Sequence, residues 1–99
     1  MTDRIVNACA MMYGVTVTDI MSRERRREVS EARSMAMYLL VRLTGMPMPQ
    51  CAEYFHRTRA SAIYSVNRIE GFLGYDRETR AKYLAIKKYL NKMPNNTAG

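Results

Sequence analysis

The stretch PQCAEYFHRTRASAIYSVNRIEGFL, residues 49–73, holds two helical patterns joined by a very short turn. Pro49 suits the first position of a helix, where no backbone N–H is required, and that short helix runs to about Phe55. His56, Arg57 and Thr58 make a tight polar turn. Thr58 can cap a longer helix, Arg59–Leu73, by offering its hydroxyl to an early backbone N–H. The apolar stripe of this helix is Ala62, Ile63, Val66, Ile69, Phe72 and Leu73. Its other side shows Arg59, Ala60, Tyr64, Asn67, Arg68 and Gly71, and Gly74 is expected to end it. A short helix, a tight turn and a longer helix presented outward form the helix-turn-helix pattern.

Helical spacing recurs on both sides of this stretch. Upstream, Ile5, Cys9 and Met12 with Val6 define a helix over about Asp3–Tyr13, ended by Gly14 as a left-handed cap. Val15 to Met21 reads as a turn with one short helical turn, and Ser22 to Glu28 as an exposed basic loop. Ser30 is the expected N-cap of a helix Glu31–Thr44, whose Met35, Ala36, Tyr38, Leu39, Leu40 and Leu43 cover most of its circumference. Such a helix belongs at the centre of a bundle. Gly45 ends it, and Met46 to Pro49 connects it to the helix pair. Downstream, Asp76–Asn91 reads as an amphipathic helix with Tyr83, Ile86 and Leu90 inward and Lys82, Lys87 and Lys88 outward. Residues 93–99 read as a flexible tail. The expected fold class is therefore all-α, a small helical bundle of one domain over residues 1–92 containing a helix-turn-helix.

Composition narrows the function classes. In 99 residues, 16 Lys and Arg face 9 Asp and Glu, a formal charge of +7. Such a surplus repels itself and favours an anionic partner. The longest apolar run, Met35 to Val41, is far too short to span a bilayer, and the first residues have no signal-peptide pattern. A soluble, cytoplasmic protein without a membrane partner is expected. Cys9 and Cys51 fall on apolar helix faces and read as small core residues. With only His56 to join them, no zinc site is expected. No Ser-His-Asp or Cys-His set and no paired-carboxylate cleft is present, so no catalytic residues are assigned. No GxxxxGK[ST] loop is present either, and no nucleotide or other cofactor is expected.

The helix start at Thr58 carries the chemistry. The second helix of a helix-turn-helix lays its N-terminal residues against base edges in the major groove. Here those residues are Arg57, Thr58, Arg59, Ala60 and Ser61. An arginine can form two parallel hydrogen bonds to guanine O6 and N7, and backbone N–H groups at a helix start favour an anion. Double-stranded DNA is the expected partner.

These residues sit within a longer run that resembles the C-terminal DNA-binding domain of the bacterial replication initiator DnaA, a helical domain related to the Trp repressor. The run begins with Ile5-Val6, Tyr13-Gly14-Val15, Asp19-Ile20 and Ser22-Arg23 before the basic stretch. Ala32 to Leu39 is similar to the family's PRQIAMYL, and Leu43 to Pro49 to its LTGLSLP. Arg57 to Glu70 is similar to RDHTTVLHAVRKIE. The resemblance implies that Arg33 enters the minor groove and that Arg57, Thr58, Arg59, Ala60 and Ser61 meet bases and phosphates in the major groove. It also implies that the basic run holding Arg23, Arg25 and Arg26 lies near the DNA backbone. Two departures stand out. The family's two glycines after the residue matching Phe55 are replaced by His56 alone, so the turn is one residue shorter. The family's Asp-His-Thr-Thr becomes Thr58-Arg59-Ala60-Ser61, which changes the donors and methyl groups offered to bases. The expected target therefore differs from the family's usual box, in replication or transcription control. The chain also reads as lacking the initiator's ATPase module.

Another class of function is compatible with the pattern: an interaction module that binds a replication or regulatory protein. Its mark would be an exposed apolar patch, with Met46, Met48 and Tyr54 as candidates. One recognition helix usually binds specifically only as a homodimer or with a partner protein, and the sequence shows no obvious dimer seam.

Overall fold

The computed structural model describes residues 1–92, and the tail expected at 93–99 lies outside them. Six helices run in the order α1 (Thr2–Tyr13), α2 (Val17–Met21), α3 (Arg27–Leu43), α4 (Met48–Tyr54), α5 (Arg59–Tyr75) and α6 (Arg77–Lys92), with no strand among the described residues. No helix among them is long and apolar enough to cross a membrane.

The centre is α3, which packs against α1, α2, α4 and α5, while α6 lies against α1 and α5. Nine consecutive residues, Ala32 to Leu40, are buried, so this helix is surrounded on all sides. Around it, Ile5, Cys9, Ile20, Cys51, Phe55, Val66, Ile69 and Ile86 complete one continuous core. Both thiols are buried. Burial pushes Cys9 up to about 12 and Cys51 up to about 11, so both stay protonated and unreactive.

Helix ends show where local chemistry decided and where packing overruled it. Gly14 closes α1 with φ 69°, as its position after the last periodic residue implies. Thr16 opens α2 with a capping box: its hydroxyl accepts the Asp19 N–H at 2.9 Å and its own N–H points to the Asp19 carboxylate at 3.5 Å. The expected cap at Ser30 is corrected. α3 starts a turn earlier at Arg27, because fully buried Val29 anchors that turn to the core and Arg27 pairs with Glu31 at 3.2 Å. Pro49 sits one residue inside α4 rather than at its first position. Gly74 does not end α5, which continues to Tyr75; Asp76 alone separates it from α6. Asp76 accepts both the Thr79 N–H at 2.9 Å and the Thr79 hydroxyl at 2.6 Å, capping α6.

Side-chain assignments were revised at five places. Ile63, expected inward, is 38% exposed, and Leu43 is 44% exposed. Lys82, expected outward, turns in: its ammonium donates to the Met12 carbonyl at 2.9 Å and lies 5.2 Å from the centre of the Tyr13 ring. It therefore caps the C-terminal end of α1, where a cation opposes the helix dipole. Lys87 is half-buried, its ammonium 5.3 Å from the Tyr83 ring centre. Met46, Met48 and Tyr54, the candidate apolar patch, are half-buried and packed against the core.

Candidate nucleic-acid interface

α4 and α5 are joined by a turn whose geometry follows from one residue. His56 has φ 58°, the left-handed conformation that side chains disfavour. Its N–H donates to the Glu53 carbonyl at 3.1 Å and the Arg57 N–H donates to the Ala52 carbonyl at 2.8 Å. That pair of bonds is the Schellman closure of α4, with His56 in the position usually given to glycine. One left-handed residue is enough to reverse the chain, so the turn closes without the second residue. Thr58 then starts α5, its hydroxyl accepting the Ser61 N–H at 3.1 Å. Arg59, Ala60 and Ser61 form the first turn of α5, and all three are exposed.

The start of α5 forms one wall of an open concavity of about 730 Å³. The facing wall is the loop between α2 and α3, represented by Arg23 and Arg25. The floor comes from α3 through Ser30, Arg33, Ser34 and Met37. His56, Arg57 and Thr58 of the turn, then Ser61, Tyr64, Ser65 and Arg68 of α5, complete it. Five arginines therefore surround the space with hydroxyl groups and no carboxylate. Burial, Arg23 and Arg25 all depress the pKa of Arg57; burial and Arg57 depress that of Arg33. Around Arg33 and Arg57, burial and neighbouring guanidinium groups outweigh the opposing effect of Glu24 on Arg33, a situation that an anion would ease.

The arginines divide into two kinds. Arg23, Arg25 and Arg59 are exposed. Arg26 is 56% exposed along its side chain but engaged, pairing with Asp19 at 3.1 Å and Glu24 at 3.3 Å, and it does not line the concavity. Arg33 departs furthest from its expected place. It is 6% exposed, with Nε donating to the Ile20 carbonyl at 2.7 Å. Its Nη2 lies 3.1 Å from the Asp19 carbonyl, 2.9 Å from that of Ser22 and 3.1 Å from that of Glu24. Expected to enter a groove, Arg33 has its Nε and Nη2 bonded to backbone carbonyls of α2 and of the loop that follows it. Arg57 is half-buried and bonds the Phe55 carbonyl at 3.2 Å and the Ser22 carbonyl at 3.1 Å.

The structure adds residues that sequence reasoning had not assigned to the site. Arg68 also lines the concavity, 3.1 Å from the Ser34 hydroxyl and 5.5 Å from the centre of the Phe72 ring. Tyr64, on the side of α5 away from its apolar stripe, is 67% exposed. The signal for both was present: Ser61, Tyr64, Ser65 and Arg68 follow one another at helical spacing on the side of α5 that flanks its buried Ala62, Val66 and Ile69.

An all-α bundle that presents the second helix of a helix-turn-helix beside a basic loop defines the class. Residues 2–69 match the family model described as the bacterial dnaA protein helix-turn-helix, and the chain belongs to that family. It is 29% identical over 86 residues to the chromosomal replication initiator protein DnaA of Tropheryma whipplei (strain Twist), covering 87% of this chain and 18% of that protein. The corresponding protein of Synechocystis is 30% identical over 90 residues, 90% of this chain and 20% of the relative. That of Picosynechococcus is 35% identical over 68 residues, 68% of this chain and 15% of the relative. The chain thus spans about a fifth or less of the length of the curated relatives it matches.

Proposed function

We propose that this chain binds double-stranded DNA in a sequence-specific manner, as a DnaA-type helix-turn-helix acting in replication or transcription control in the cytoplasm. The observation that carries the reading is the concavity at the start of α5, ringed by five arginines with no acidic residue. An α-helix fits the major groove, so Arg59, Ala60 and Ser61 are the residues assigned to base edges and the adjacent phosphates. Arg23 and Arg25 are assigned to the backbone on the other side of the concavity. Ala60 offers a methyl group suited to thymine, and Arg59 a fork suited to guanine. Tyr64 and Arg68 extend the contact along α5. No catalytic, nucleotide or metal role is assigned.

The test is selection of bound sequences from a random duplex pool, followed by salt titration on the selected site and on scrambled duplexes. Affinity should fall steeply between about 50 and 200 mM salt, because neutralised phosphates release counterions. Arg59→Ala should cost about 1–3 kcal/mol on the selected site and relax preference at one base pair. Arg25→Ala should weaken all sequences alike and lower the salt slope by about one. Absence of duplex binding at low salt would refute the proposal.

A further inference from the structure

Arg33 is the most heavily bonded side chain of the site, and its Nε and Nη2 donate to the chain itself. Four carbonyl groups, of Asp19, Ile20, Ser22 and Glu24, converge on its guanidinium. They span the end of α2 and the first half of the loop. The Ser22 carbonyl also accepts from Arg57, which belongs to the turn before α5. One loop carbonyl is thus held by two arginines, one from the central helix and one from the helix-turn-helix. Such a loop, with four exposed or half-exposed charged residues in sequence, would otherwise move independently of α5. No carboxylate takes part in the clamp, so it is built from planar donor forks rather than from ion pairs.

We infer that Arg33 is a positioning residue that locks the loop 22–26 in register with the start of α5. The concavity is therefore preformed to straddle one sugar-phosphate strand, with the loop on one side and α5 on the other. This rests on the duplex-binding reading above. Arg33 contributes by holding Arg23 and Arg25 in place; it is not itself a phosphate contact. Arg57 shares the clamp and, being half-buried, joins it to the reading helix. Preorganisation of this kind removes the ordering cost of the loop from the binding step.

The test uses the full chain and Arg33→Lys, which keeps the charge but loses the planar fork. In the free protein, hydrogen exchange at amides 22–26 should accelerate at least tenfold while the amides of α1 and α6 keep their protection. Duplex affinity should fall at least tenfold, and the salt slope should fall by about two, the share of Arg23 and Arg25. In an Arg23→Ala/Arg25→Ala background, Arg33→Lys should change affinity less than twofold, because the contacts it positions are already gone. A loss from Arg33→Lys that simply multiplies with that of the double variant would overturn the inference, as would unchanged exchange at 22–26. If Arg33→Lys lowers helicity, Arg57→Gln releases the same Ser22 carbonyl from the half-buried side and carries the same cycle. Should the unaltered chain bind no duplex, the binding reading fails, while the exchange result still decides whether Arg33 holds the loop.

Discussion

Replacing His56 with glycine should stabilise the protein, contrary to the usual effect of adding glycine to a folded chain. His56 stands at φ 58° and closes α4, and its side chain is exposed. A residue with a Cβ is strained there by about 1–2 kcal/mol, whereas glycine is not. Glycine gives back about 0.5–1 kcal/mol through the greater freedom of the unfolded chain. The net expectation is a gain of about 0.5–1 kcal/mol, or roughly 2–8 °C in melting temperature for a chain of this size. Asparagine, which tolerates the left-handed region, should fall between glycine and histidine. Valine should be the worst, because its branched Cβ crowds the backbone most. Thermal and urea unfolding followed by circular dichroism would rank the four. If His56→Gly destabilised the protein, or if valine matched histidine, the strain argument would be wrong. His56 would then be held by its side chain rather than tolerated despite it.

Other perturbations probe the remaining links. Thr58→Ala removes the cap on α5 and should cost about 1 kcal/mol in urea unfolding; weaker duplex binding should accompany it, since Arg59 to Ser61 form the turn that frays. Lys82→Met keeps the aliphatic stem but removes the cation from the end of α1 and from the Tyr13 ring. The expected loss is about 1 kcal/mol, read as a lower urea midpoint with unchanged duplex affinity. The Thr79 hydroxyl and N–H, with a smaller contribution from Arg27, hold the Asp76 carboxyl below its ordinary value. Its contribution is therefore complete above the unfolded value of 3.8 and is lost as pH falls through the lower folded value. Asp76→Asn should flatten that part of the acid unfolding curve, and an unchanged curve would remove Asp76 as its source.

The helix-turn-helix was legible because its signals are local. Thr58 needs only its own hydroxyl and the N–H of Ser61 three residues on, and Gly14 only its own φ. The central place of α3 was legible from its apolar circumference. The start of α3 was not, because burying Val29, the residue just before Ser30, draws the helix start back to Arg27 and outweighs a good capping residue. The burial of Arg33 was not legible for a related reason. An arginine near a helix start looks exposed when its carbonyl partners lie 9 to 14 residues back in the chain.

Most helix positions, their order, the cap that starts α5 and the surplus of positive charge follow from the sequence alone, since each depends on neighbours within a turn or on composition. Only the tertiary structure decided which charges are used up. Arg26, Arg33 and Lys82 are cations like Arg23, Arg25 and Arg59, and nothing in their spacing separates the two sets. The folded chain brings loop carbonyls to Arg33, the carboxylates of Asp19 and Glu24 to Arg26, and the Met12 carbonyl to Lys82. Arg23 and Arg25 are left facing the concavity beside α5. A guanidinium or ammonium binds whichever oxygen the fold presents first, and the distance between such groups along the chain does not reveal it.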